Sequence, residues 1–286
     1  MQVKAAATPL LITTSWDDGH PSDLRVAALL EKHGLSGTFY VPSANLEGRP
    51  VMRSTEVAQL GRQFEVGGHT RDHVTLTDLP PRLAANQIVA NKQWLEDVLG
   101  HEVCGFAYVR GLHNSNVRDL VDKAGYRYAR TGKTLMSAPG SDRLRIQTTT
   151  QFFPHSSSVR IRNFVRKGPT LQRAAVLAAL LSEGSLSTRC ARAAEACGHL
   201  GGHFHLWGHS WELDDRDLWG ELDCLFRRLR ELDARFVTNA RWCTSLTKSG
   251  EGHVRAAMTK LDGWAPLPSG AAPDGGLHGR AAFDEA

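Results

Sequence analysis

The strongest constraint on the fold is a regular alternation of short apolar runs rich in β-formers with amphipathic stretches at helical spacing. Strands are predicted at residues 10–15, 36–41, 64–68, 103–108, 126–130, 203–209 and 236–238, with 144–150 a further candidate. Helices are predicted at 21–33, 82–99, 116–124, 170–183, 188–197 and 215–232. Pro21 stands near the first turn of the first helix, and Gly34, Gly100 and Gly125 stand just past helix ends, as capping chemistry requires. Repeated strand–helix–strand units build an α/β fold with a parallel sheet or barrel. The segment 137–167 is mixed in character. From about residue 248 Gly, Ala and Pro dominate. The expected organisation is therefore one α/β domain over 1–247 and a flexible Gly/Ala/Pro-rich tail over 248–286.

With 286 residues the chain can bury a full core. Its net charge of +4 is small for that length, and no dense Lys/Arg run interleaved with aromatics is present, so nucleic acid is not an expected partner. Arg160, Arg162, Arg166 and Lys167 form a small basic patch, read as a solvated face or a substrate-loop charge set. The longest apolar stretch, 174–181, is far short of a membrane span, and the first nine residues lack a secretory apolar region; the expected location is cytoplasmic, away from membrane. Five cysteines (104, 190, 197, 224 and 243) without a close Cys-x-x-Cys pair suit reduced thiols.

The polar clusters fall just after predicted strands. Asp17 and Asp18 lie in Ser15-Trp16-Asp17-Asp18-Gly19, and His69 and His73 in Gly68-His69-Thr70-Arg71-Asp72-His73. Tyr108–Arg110, Arg130 and His209 follow later strands. The carboxyl ends of parallel strands share one face, so these residues should converge on one mouth. On a helical turn, histidines four apart have Cβ atoms about 5–6 Å apart and can share one ion. The alternative is two unrelated surface histidines. Asp17 and Asp18 point apart if the strand continues, so one can ligate an ion while the other faces substrate; the alternative is a capped turn, with Asp23 adding negative charge to the next helix. In His203-Phe204-His205-Leu206-Trp207-Gly208-His209 the three histidines share a face. At about 3.3 Å per residue His205 and His209 are roughly 13 Å apart, too far to chelate one ion. His209 is then the candidate acid, with His203 and His205 as buried layers beneath it. Trp211 is a candidate wall for a substrate ring, Trp207 and Trp219 suit the core, and Tyr108 suits either role.

Taken in order, these elements resemble the polysaccharide deacetylases (carbohydrate esterase family 4) over roughly residues 10–240. Trp16-Asp17-Asp18-Gly19 is similar to the family's aromatic-Asp-Asp-Gly element, His69 to His73 to its His-Ser/Thr-x-x-His element, and Leu206-Trp207-Gly208-His209 to its Leu-x-His element. The resemblance implies a distorted or incomplete (β/α) barrel of about seven parallel strands. It implies Asp17 as catalytic base, Asp18, His69 and His73 as ligands of one divalent ion (Zn2+ being the expected one), and His209 as general acid. The family's Arg-Tyr/Pro-Pro-Tyr-Gly element is altered here to Ala107-Tyr108-Val109-Arg110-Gly111. The Arg110 backbone amide is expected to help hold the oxyanion, and Arg130 to take over the missing arginine's charge beside Asp17. The partner tuning His209 has no clear match; Asp214 or Asp215 are the candidates, while Glu212 reads as a supporting residue or a helix-terminal charge. Tyr108 and Trp211 are the candidate substrate contacts. The implied activity is metal-dependent removal of an acetyl group from an N-acetylated small-molecule or oligosaccharide substrate. The alternatives are hydrolysis of a non-sugar amide or cyclic imide or ureide on the same scaffold, and a non-catalytic carbohydrate-binding relative.

Overall fold

A computed structural model describes residues 10–200 and 202–248, so the expected tail lies, beyond Lys248, outside the described residues. The chain runs through β1 (Leu10–Asp17), α1 (Asp23–Lys32), β2 (Thr38–Val41), α2 (Ser54–Leu60), β3 (Glu65–Gly68), α3 (Pro81–Leu99), β4 (Gly105–Ala107), α4 (Ser115–Lys123), β5 (Tyr128–Arg130) and β6 (Thr150–Gln151). It continues through α5 (Ser157–Arg166), α6 (Leu171–Leu181), α7 (Leu186–Leu200), β7 (His203–His209), α8 (Ser210–Asp215), α9 (Trp219–Arg230), β8 (Ala234–Phe236) and α10 (Asn239–Lys248).

All strand pairs are parallel, in the order β5-β4-β3-β2-β1-β7-β6. This is the incomplete barrel expected from the sequence: seven strands curl into a half-barrel, and β8 adds to the first residues of β1 through Leu10↔Ala234 to Ile12↔Phe236. Residues 146–151 span the open side. Ile146 bridges to Arg130 of β5, the Thr149 amide donates to the His205 carbonyl (3.0 Å), and β6 pairs with Leu206 and Trp207.

Strand alternation divides the core in two. Ile12, Trp16, Phe39, Val66, Phe106 and Leu206 point out of the barrel and pack with the helices into one large apolar cluster. The opposite face holds a smaller cluster of Tyr40, Ala107, Tyr128, Ile146, Trp242 and Cys243. Small residues make room for those inner rings. A Cβ at Gly67 would lie 2.6 Å from the Tyr40 ring, a distance no folded core tolerates without movement.

Where the chain departs from the sequence reading, local chemistry explains it. The helix expected over 215–232 breaks into α8 and α9 around Asp217, whose backbone is left-handed (φ 50°). The mixed segment 137–167 resolves into a loop, β6 and α5, the last capped by Ser156 accepting from the Val159 amide. His69 to His73 is an irregular loop rather than the anticipated helical turn, with left-handed backbone at Thr70 (φ 66°) and His73 (φ 55°).

Candidate active site

The carboxyl ends of β1, β3, β5 and β7 meet at one mouth. Asp17 is the last residue of β1 and faces the barrel interior, where the Arg130 guanidinium at the end of β5 donates to its Oδ2. Both groups are buried, and a fully desolvated guanidinium is stable there only because a carboxylate and aromatic faces meet it. Arg130 lies 5.1 Å from the Trp207 ring centre and 5.4 Å from that of Tyr40. The other Asp17 oxygen, Oδ1, is buried and has no hydrogen-bond partner among the described residues.

Asp18 leaves the strand with left-handed backbone (φ 76°), which swings its carboxylate away from that of Asp17. Gly19 follows at φ 61°, and a Cβ there would lie 2.7 Å from a Val41 methyl, so the turn requires glycine. The Asp18 Oδ1 sits 3.0 Å from His73 Nε2 and 3.5 Å from His69 Nε2. One ligand atom from each of Asp18, His69 and His73 lies within 4.8 Å of the others, and all three residues are buried. His69 is fixed by its surroundings: its backbone N–H donates to Asn91 Oδ1 (2.9 Å), and its Nδ1 donates to the Ala107 carbonyl (2.8 Å). A carbonyl can only accept, so Nδ1 carries a proton and Nε2 is the ring atom turned toward the Asp18 carboxylate. Asp18 Oδ1, close to both rings, is buried and has no hydrogen-bond partner among the described residues, which leaves capacity for an ion to fill. One carboxylate, two imidazoles and a backbone-oriented ring form a donor set that fits a divalent ion.

Asp18 Oδ2 accepts from Trp211 Nε1 (2.8 Å). Burial pushes the Asp18 carboxyl up, but the neighbouring His209, His69 and His73 outweigh it and hold it well below the usual carboxylate range. His209, the last residue of β7, lies 4.0 Å from Asp18 Oδ2 and carries its other ring nitrogen 3.1 Å from Glu212. Burial pulls the His209 imidazole down, yet the charges of Asp18, Glu212 and Asp17 raise it to about 10. Glu212 is in turn held by the Gln151 side-chain amide at 3.0 and 3.1 Å.

The inner face of β7 bears out the strand geometry of its histidines. His205 and His203 form a buried chain below the mouth: Ser15 Oγ meets His205 Nε2 (2.9 Å), and Thr13 Oγ1 meets both His205 Nδ1 (2.8 Å) and His203 Nε2 (3.0 Å). Three sequence assignments change. The partner of His209 is Glu212, one turn into α8; Asp214 instead accepts from Trp219 Nε1 (2.9 Å), and the exposed Asp215 lies 3.9 Å from Arg49. Tyr108 is buried, donates to the Leu144 carbonyl (3.1 Å) and packs on Phe106, so it is a core residue and not a substrate contact. The Trp211 ring is committed to the site itself, stacked on His209 at 5.2 Å with the Arg49 guanidinium 3.3 Å from its centre. Its indole orients Asp18 rather than standing free as a wall for a sugar. Arg110 sits at the rim in left-handed backbone (φ 55°), its side chain donating to Glu47 (2.9 Å). Asn91 and Gln151 escaped the sequence reading because they act only through other residues, the His69 backbone and the Glu212 carboxylate. Glu212 carried a usable signal, standing three residues after His209 at a strand-to-helix junction.

Known proteins share this fold. The family model described as polysaccharide deacetylase matches residues 4–129. No curated protein matches the chain significantly. Among solved structures, one from Mycobacterium smegmatis described as a polysaccharide deacetylase superposes with a TM-score of 0.63 at 12% identity, covering 90% of this chain and 96% of that one. A family 4 acetyl xylan esterase from Clostridium thermocellum in complex with a cobalt ion gives 0.50 at 16% identity, over 84% and 91% of the two chains. The Bc1960 peptidoglycan N-acetylglucosamine deacetylase gives 0.51 at 14% identity, over 81% and 87%. Against some others the chain spans less than two thirds of their length, 62% for a Streptococcus pyogenes deacetylase. At these identities the superpositions establish a shared fold.

Proposed function

From the match of residues 4–129 to the polysaccharide deacetylase family model and the shared fold, we propose that this chain is a member of that family, a metal-dependent hydrolase that removes the acetyl group from an N-acetylated sugar or sugar-bearing metabolite. The observation carrying this reading is the meeting of Asp18, His69 and His73 with Asp17 on one side and His209 on the other. A pure binding protein has no need of a base, a cation site and an acid at a single point. The cobalt ion of the acetyl xylan esterase and the N-acetylglucosamine substrate class of the peptidoglycan deacetylase support the metal and the sugar respectively.

Asp18, His69 and His73 would hold the ion, which when bound supplies a Lewis acid for the acyl oxygen and acidifies water. Zn2+ suits one carboxylate and two imidazoles. The residues around it do the rest. Arg130 fixes Asp17 through Oδ2 and leaves Oδ1 free to take a proton from the attacking water. Trp211 orients Asp18, and the Ala107 carbonyl orients His69. As the C–N bond breaks, His209 gives a proton to the departing nitrogen from the ring nitrogen nearer Asp18, while Glu212 holds the other. The Arg110 backbone amide, at the rim, is assigned to the oxyanion; one such donor is commonly worth about 3–4 kcal/mol of barrier.

The test is acetate release from a panel of N-acetylated sugars, run with and without a chelator. Chelator-sensitive release that returns with Zn2+ or Co2+ is expected. A protein that binds the ion yet frees no acyl group from any sugar, ester or amide would fall to the binding-protein reading.

A further inference from the structure

The segment that the sequence left unplaced builds a cavity beside the site. It is a cleft lined by Gly132, Thr134, Gln151, Trp207 and the inner side of α5. Two of its walls belong to the active site. Trp207 meets the His209 ring (5.4 Å, edge-on) and the Arg130 guanidinium, while Gln151 holds Glu212. Its charged lining is of one sign: Arg160 and Lys167 from α5 and its C-terminus.

Arg160 is the unusual member. It is 5% exposed, one Nη donates to the Phe153 carbonyl at 3.3 Å, and its Nε is buried with no partner. Among the described residues no carboxylate lies within 4 Å of Arg160 or of Lys167; the Lys167 ammonium donates to the Gly132 carbonyl (2.9 Å). Burial draws the Arg160 guanidinium down from its usual value; the neighbouring Cys190 partly offsets this and the cation Arg189 adds to it. His155, at the same cavity, is pulled to about 4 by burial and by Arg160, so it lines the space as a neutral ring, hydrogen-bonded to Gln151 (2.9 Å). Elsewhere in the fold the buried guanidinium of Arg130 has its carboxylate, and that of Arg173, which has none, is spent on the Phe164, Gly168 and Asn163 carbonyls. A buried guanidinium without a counter-ion is costly, and a planar fork with a free N–H suits a carboxylate or phosphoryl oxygen.

We infer that the cavity between Trp207 and α5 is an anion subsite, in which Arg160 and Lys167 bind a phosphoryl or carboxylate group carried by the substrate. This deepens the deacetylase reading and rests on it for the identity of the substrate, though not for the binding of the anion. The substrate class becomes an acidic acetamido sugar, its charged group held on the far side of Trp207 from His209.

Two measurements separate the subsite from the activity. Inorganic phosphate is titrated calorimetrically into the full chain in EDTA, which removes any cation that would compete for it. Saturable binding is expected, weakened about tenfold or more in Lys167→Ala and in Arg160→Gln, the loss of one charge-assisted contact. Lys167 is only half-buried, so its variant decides the matter if Arg160→Gln does not fold. Separately, kcat/KM is compared for N-acetylglucosamine 6-phosphate, N-acetylmuramic acid and neutral N-acetylglucosamine. An anionic sugar should be preferred, and the anionic-to-neutral ratio should fall about tenfold in either variant; which anionic sugar wins distinguishes phosphate from carboxylate. Phosphate binding without hydrolysis of any sugar would overturn the deacetylase reading and leave the subsite standing. Hydrolysis with no anionic preference and no saturable phosphate binding would overturn the subsite alone.

Discussion

Asp17 and Asp18 are chain neighbours whose surroundings assign them different work. Asp17 meets one guanidinium and keeps one oxygen free, whereas Asp18 is ringed by His69, His73, His209 and Trp211. Asp17→Asn should therefore retain bound metal by elemental analysis and lose about 10²–10⁴ of turnover, while Asp18→Ala should lose both. An Asp17→Asn protein with full turnover would remove Asp17 as the base. Glu212 acts through His209. In the proposed mechanism His209 is the general acid, which works only while protonated, so the alkaline limb of the pH profile follows its pKa, which Glu212 helps to raise. Glu212→Gln should move the alkaline limb of kcat/KM to lower pH, and an unmoved limb would dissociate Glu212 from His209. A third carboxylate, Asp23, is fully buried at the start of α1, and burial raises its pKa well above the usual value. A raised folded pKa means stability is lost as pH climbs above the unfolded value near 3.9. Asp23→Asn removes that loss, so its melting temperature should exceed that of the parent at pH 7 and the gap should close near pH 4.

At the scale of elements, strands were easier to read than the loops that carry the chemistry. Strand β7 carries its histidines on alternate positions, and its inner and outer faces follow from period-two geometry, which is why His203 and His205 could be placed beneath His209 from sequence. The loop from His69 to His73 was legible in composition but not in shape. His69 and His73 come together through left-handed backbone at Thr70 and His73, a conformation that propensity does not forecast for such residues. Resemblance supplied the roles of the principal groups, but it could not supply Glu212 or Gln151. Nor could it reveal that Tyr108 is core, because burial is decided by neighbours distant in sequence such as Leu144. The same non-local logic governs β3, whose Gly67 is small because the Tyr40 ring occupies its side-chain space, with the Gly105 carbonyl 2.8 Å from where a Cβ would stand. Gly67→Ala should cost about 1–3 kcal/mol of overpacking in urea denaturation. A neutral result would mean that β3 shifts freely against β2.

The whole barrel is a stack, with chemistry at the carboxyl end of its strands and a sealed polar floor at the other. The floor is made where β8 and α10 come back under the sheet. Asn239 donates to the Tyr40 hydroxyl (2.9 Å), the Ala240 amide to Glu65 (3.0 Å), and Trp242 stacks on His203 at 5.5 Å. Between floor and mouth, burial pulls His203 to about 4, and His205, flanked also by His203 and Arg130, well below its usual value. Both rings are therefore neutral in the folded protein and must take up protons as it unfolds in mild acid. A folded pKa below the unfolded value of about 6.5 leaves stability intact above pH 6.5 and erodes it as pH falls toward 4. Each ring contributes a slope of up to about 1.4 kcal/mol per pH unit within that window. His209 has the opposite sign and acts in a separate window, since its raised pKa costs stability only as pH rises from about 6.5 toward 10. Urea midpoints measured from pH 7 to pH 5, where most carboxylates are still ionised, should thus fall for the parent and fall less steeply for His203→Gln. Equal slopes in the two proteins would mean that water reaches His203 from below, and that α10 does not seal the barrel.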